Sequence, residues 1–356
     1  MHVLVTGAGG FIGAALAERL QSAPLAPGAP LRLTLVDRVG PRAACAPGVH
    51  WHVGSFADRA LFEALEDHPP DCVFHLASVP GSLAEREPAL GVQANLLDTV
   101  ALCEGLARPV RAGRAPVPRL VFASSVAVYG TLGTQAVDEG QWPQPALSYG
   151  VHKWMVELLV ADYSRRGDID GCSLRLPGIV ARPPAETGHG SAFMSQIFHA
   201  LHARRAYTCP VSAQATAWWM SLECCLDNLV HAARLPPEGM SAERCWQPPV
   251  LRASVEEVVQ AIAHAVDADP AEWIRYAPDT FHRNAVRPPA RLAYAARGGC
   301  RLSERWLAAV PGHPRAGWAA GRRQCEVGSD KKEPATGRAA GQAPDWWAAP
   351  CAAARP

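Results

Sequence analysis

The stretch VLVTGAGGFIG, residues 3–13, narrows the possible folds more than any other part of this chain. It sets Gly7, Gly10 and Gly13 directly after an apolar strand-like run and at the mouth of an amphipathic helix pattern. In that context the first glycine permits a tight turn and the second lets backbone approach a pyrophosphate. The third allows the helix to pack close to the strand. The N–H groups opening the helix, at Phe11, Ile12 and Gly13, then face the phosphate charge. Asp37 closes the next apolar run, LTLVD, where a carboxylate accepts from both hydroxyls of an adenine ribose and repels a 2′-phosphate. The predicted cofactor is therefore NAD, with the adjacent Arg38 pulling toward the phosphorylated form.

The rest of the first 180 residues supports this. Strand-like runs at 2–6, 31–37, 71–77, 119–125 and 172–177 alternate with helical segments. Such alternation predicts an α/β fold, a Rossmann-type doubly wound parallel sheet. We assign residues 1–178 to this nucleotide-binding unit. Residues 179–287 read as a smaller, mainly helical portion for substrate, after a Pro/Gly-rich loop. Residues 288–356 lose periodicity and read as an irregular extension.

Composition serves mainly to exclude. Net charge is +1, which gives no electrostatic case for nucleic acid or an anionic membrane surface. No apolar run is long enough to span a bilayer, and MHVLVTG enters a strand without a signal-like segment, so a cytoplasmic setting is expected. Eleven Cys are irregularly spaced, without Cys-x-x-Cys or zinc spacing, and no metal or disulfide is expected. Cys72, Cys103 and Cys172 read as small buried hydrophobes.

A second motif bears on chemistry. The chain has 31 Arg but three Lys, and Lys153 is the one before residue 331. It stands four positions after Tyr149 in SYGVHK, on the same helix face. Arg does not replace Lys where a compact ammonium must tune a neighbour. The pair thus reads as an acid–base couple or as an ordinary surface pair.

The order of these features resembles the extended short-chain dehydrogenase/reductases, the NAD-dependent epimerase/dehydratase family. The match is carried by TGAGGFIG, HLAS (75–78), Asn95 of VQANLLDT, FASSVAVYG (122–130) and YGVHK. The resemblance implies that Tyr149 is the catalytic acid/base. It implies that Lys153 holds the nicotinamide ribose and lowers the Tyr149 pKa, and that Ser125 hydrogen-bonds the substrate oxygen. Ser55, Leu76, Ala77, Asn95 and Pro177 join the implied cofactor contacts, Asn95 through a water toward Lys153 or as a capping or core residue. The tracts at 78–99, 159–183, 209–211 and 228–233 are similar to the D-erythronate dehydrogenases of that family. That likeness implies oxidation of a small sugar acid by a homodimer built on residues 88–107 and 149–166. Ser78, Gly81, Ser82 and Arg182 are the expected substrate contacts, with Ser191 and Arg204 weaker candidates. Two departures stand out: Gly54-Ser55 where the family often has Gly-Asp, and Ala217 where the subgroup often has Arg before the aromatic at Trp218.

Three functions share these motifs. One is net oxidation of a small sugar acid. Another is a sugar-nucleotide epimerase or dehydratase that retains its NAD. The third is an NAD-binding regulatory protein with no chemistry of its own.

Overall fold

The computed structural model describes residues 1–278, apart from 42–44, 132–136, 138–139, 184–190 and 238–239. The segment 288–356, expected to be irregular, lies outside the described residues.

Six strands follow in chain order: β1 (His2–Thr6), β2 (Arg32–Asp37), β3 (Val49–Val53), β4 (Cys72–His75), β5 (Arg119–Ser125) and β6 (Asp170–Leu176). The central sheet runs β3-β2-β1-β4-β5-β6 and is parallel throughout. Successive side chains of a strand point to opposite faces, and each face has its own core. Val3 and Val5 of β1 pack with Leu16 and Leu20 of α1 (Phe11–Ser22). Leu4, between them, packs on the other face with α2 (Arg59–Leu65), α5 (Asp98–Arg111) and α6 (Ser148–Arg165). Two short helices, α3 (Gly81–Arg86) and α4 (Pro88–Val92), precede α5, joined to it by a π-helical turn at Gln93–Leu97. Burial on both faces is why these strands read as continuous apolar runs. The doubly wound parallel sheet expected from the alternation is observed.

Past residue 177 the structure holds more strand than helical periodicity reveals. β7 (Gly178–Val180) and β9 (Thr216–Ser221) pair in parallel, and β11 (Leu251–Ser254) joins β9 antiparallel. β8 (Tyr207–Cys209) pairs with β12 (Ile274–Tyr276). Helices α7 (Phe193–His202) and α9 (Val255–Ala265) close over a second core, with α10 (Pro270–Trp273) beside them. TAWWMS hides its strand character because both Trp are buried and nothing in it alternates. Trp219 Nε1 donates to the Ala253 carbonyl at 3.0 Å, and Trp218 meets Tyr129 edge to face. The chain also returns to the first unit. α8 (Leu222–Arg234) covers the α1 face, and β10 (Cys245–Trp246) adds a seventh strand beside β6. Among the described residues no helix is long and apolar enough to cross a membrane.

Candidate active site

In an open parallel sheet, ligands bind beyond the strands' carboxyl ends, where strand order reverses. Here the reversal lies between β1 and β4. The residues singled out in the sequence gather along this edge. Gly7–Gly13 follow β1, Asp37 ends β2, Ser55 follows β3, and Leu76, Ala77 and Ser78 follow β4. Ser125 ends β5, Tyr149 and Lys153 open α6, Pro177 follows β6, and Arg182 follows β7.

The glycine turn is as tight as its residue types require. Gly7 has φ +72°, and a β-carbon there would lie 2.7 Å from the Ala77 nitrogen. One on Gly13 would lie 2.1 Å from the Gly7 carbonyl oxygen. Gly10 caps α1 without a side chain, so among the described residues no capping side chain takes the first N–H groups of the helix, which point out of its end. Asp37 accepts from the N–H of Gly9 (2.9 Å) and of Val39 (3.1 Å), which holds its carboxylate at the rim of the same turn. A backbone cradle, free helix-end donors and a fixed carboxylate fit NAD: diphosphate at Phe11–Gly13, ribose hydroxyls at Asp37.

Ser55 is less free. Its N–H donates to Asp58 and its hydroxyl to Asp98 (3.3 Å). Asn95 is buried, and its amide both accepts from Val79 N–H (2.7 Å) and donates to the Val79 carbonyl (3.0 Å). It pins the loop after β4 to the π-helical turn.

The chemical centre lies where α6 meets β5. Lys153 is buried, with Nζ donating to the Ala123 carbonyl at 2.7 Å and standing 4.7 Å from the Phe122 ring centroid and 5.5 Å from that of Tyr149. Burial pushes its ammonium down to about 7, opposed by Glu157. The Tyr149 phenol is raised by burial, while the Ser78 and Ser125 hydroxyls and the Arg182 charge act against the rise. In this structure the side chains acting on the phenol are Ser78, Ser125 and Arg182, and the Lys153 ammonium is held by the Ala123 carbonyl. Ser125 also caps the short 3₁₀ turn at Val126–Tyr129 by accepting from Ala127 N–H at 3.2 Å.

Arg182 completes the cluster. Its N–H donates to Ser195 (3.0 Å) and its carbonyl accepts from His199 (2.6 Å), which fixes the backbone and leaves the guanidinium turned toward Tyr149. Among the described residues that guanidinium has no carboxylate partner. The N-terminus of α3 lies against Tyr149: a β-carbon on Gly81 would sit 3.6 Å from Tyr149 Cβ. The Ser82 hydroxyl is buried without a partner. The weaker candidates do not converge here. Arg204 lies past the far end of α7 and donates to the Asp267 carbonyl, and Ser191 is exposed.

Two further residues belong to this site. His75 is buried between Thr6 (2.7 Å) and Thr99 (2.9 Å) and is held neutral, pushed down to about 3 by burial and by Lys153. Glu85 of α3 accepts from Ser148 N–H at 2.5 Å and so caps the helix that bears Tyr149. HLAS carries the first openly in sequence. The second has no local signal, because donor and acceptor are 63 residues apart.

Comparison with known proteins agrees with this fold. Residues 3–220 match the model of the NAD dependent epimerase/dehydratase family, and the chain belongs to that family. It is an NAD-dependent oxidoreductase acting on a CH–OH group. A D-erythronate dehydrogenase of Cupriavidus necator is 36% identical over 78% of this chain and 86% of its own length. One from Haemophilus influenzae is 30% identical, covering 82% and 91%. The crystal structure of a nucleoside-diphosphate-sugar epimerase from Agrobacterium tumefaciens superposes with a TM-score of 0.74 at 30% identity, covering 84% and 91%.

Proposed function

We propose that this protein oxidises a secondary hydroxyl of a short sugar acid, D-erythronate or a close relative, to the 2-keto acid. The observation that carries this reading is Arg182: a half-buried guanidinium beside Tyr149, free of any carboxylate among the described residues. Such a group recognises a carboxylate through paired hydrogen bonds. The substrate acid group would lie on Arg182, with Ser78, Gly81 and Ser82 around it. Its neighbouring hydroxyl would then face Tyr149 and Ser125.

NAD, when bound, supplies the hydride acceptor. The chain's own residues handle the proton. Tyr149 as phenolate takes the hydroxyl proton, and Ser125 donates to the same oxygen as it becomes a carbonyl. Lys153 holds a positive charge 5.5 Å from the phenol ring centroid and would hold the nicotinamide ribose. The likeness to a nucleoside-diphosphate-sugar epimerase favours a second reading, epimerisation with retained NAD. One assay separates them: purified full-length protein with NAD and a panel of aldonic acids. NADH growth with a four-carbon acid is expected. Tightly held NAD released on denaturation, with no net NADH from any acid, would decide for the epimerase.

The reading includes a homodimer. Val92, Leu97 and Val100 lie beside Val151, Met155 and Leu158 of α6, all solvent-exposed on one apolar face. A contiguous face of this kind is unusual on a monomer. Sedimentation at twice the chain mass is expected, with Leu158→Arg shifting the protein to monomer. Wild-type protein at the monomer mass would exclude the dimer.

A further inference from the structure

α6 carries three chemically distinct residues at four-residue spacing, Tyr149, Lys153 and Glu157, on one stripe against β5. The end of β5 meets that stripe residue by residue. The Ala123 carbonyl accepts from Lys153 Nζ, the Ser124 hydroxyl donates to Glu157, and the Ser125 hydroxyl acts on Tyr149. Glu157 is not needed by the proton transfer proposed above. It is nonetheless an acidic side chain 4% exposed, in an ion pair with Arg175 of β6, itself 7% exposed. Arg175 Nη2 donates to Oε2 at 2.8 Å and Nε to Oε1 at 3.1 Å, while Nη1 donates to the Tyr129 hydroxyl at 3.0 Å.

Burying a carboxylate and a guanidinium costs several kcal/mol of desolvation per ion, and an apolar pair of similar volume is often as stable. Stability alone is therefore a weak reason for charges at this position. The titratable groups facing the Lys153 ammonium supply another. β4 presents His75, which is neutral. β5 presents the Ala123 carbonyl and the Phe122 ring, and α6 presents Tyr149. β6 presents Arg175, already bonded to Glu157. Among these described groups Glu157 is the one anion.

We propose that Glu157 is a positioning residue for Lys153: its carboxylate is the counter-charge that keeps the ammonium protonated in a dry site, and Arg175 sets how much of that charge Lys153 receives. Burial drives an ammonium toward its neutral form, and an anion one helical turn away opposes it. Arg175, on the far side of the carboxylate, draws part of that field away. The Ser124–Glu157 hydrogen bond fixes the arrangement to the strand residue just before Ser125.

Opposite substitutions must then act with opposite sign. The sequence makes the measurement clean, since Lys153 shares the chain with only Lys331 and Lys332. In full-length protein labelled with carbon-13 at lysine Cε, the resonance lost in Lys153→Met reports its titration without substrate or NAD. Arg175→Met is expected to raise the Lys153 midpoint by about one pH unit, and Glu157→Gln with Arg175→Met to lower it by about one unit. A purely structural pair would move both variants the same way, or neither, and either result overturns the proposal. Should Arg175→Met fail to fold, the doubly neutral variant decides alone, and an unmoved midpoint there refutes the idea. The inference rests on the role given to Lys153, yet the two fail separately. Full activity in Lys153→Arg would remove the proposed mechanism and leave the titration result standing.

Discussion

Tyr149→Phe is expected to lower turnover with D-erythronate by about 10³-fold, within the range typical of a lost general base. Binding of NAD should change little, because the phenol oxygen lies at the β5 end of the site and the glycine turn lies beyond β1. The substitution removes one oxygen and keeps the ring that packs under Gly81. A variant that binds NAD normally and still turns over within threefold of wild type would remove Tyr149 from the mechanism.

The pH profile follows from the same geometry. Burial raises the phenol above its usual value, so the phenolate fraction, and with it the oxidation rate, grows as pH rises. Lys153, brought down to about 7, works in the other direction, since its charge is present below that pH and lost above it. The Lys153 ammonium stands 5.5 Å from the Tyr149 ring centroid, so loss of its charge is felt at the same site. A bell-shaped profile results, and in Tyr149→Phe its rising limb should flatten.

How much of this was legible in the sequence depends on how local each determinant is. The glycine turn is a local constraint: Gly7 and Gly13 are glycines because carbonyl and amide groups lie under 3 Å from where a β-carbon would go. Asp37 and the Tyr149/Lys153 pair are likewise fixed by strand ends and helix spacing. The site's electrostatics are not local. Arg182 acts on Tyr149 from another strand end, and Glu85 caps α6 from 63 residues away. In sequence Glu157 is one polar position in a helical pattern, and nothing in its neighbourhood signals that Arg175 meets it. β7 and β9 were missed for a related reason: short strands buried on both faces have no period to read.

Arg182 supplies the second large effect, and it separates substrate recognition from chemistry. A half-buried guanidinium paired with a carboxylate contributes roughly 2–3 kcal/mol through charge-assisted hydrogen bonds. Each 1.4 kcal/mol is a factor of about ten in affinity. Arg182→Met keeps the length of the side chain and removes its charge, and it should raise KM for the acid by about 50- to 100-fold. The backbone bonds to Ser195 and His199 do not involve the guanidinium, so the loop should hold its place. Removing the cation also takes away one influence that favours the Tyr149 phenolate, so kcat should fall and the rising limb should move to higher pH. An uncharged polyol lacking the carboxylate should lose turnover by that second route without the KM penalty. If acid and polyol suffer equally in KM, Arg182 serves only the phenol, and the carboxylate must be held by the α3 loop at Ser78, Gly81 and Ser82.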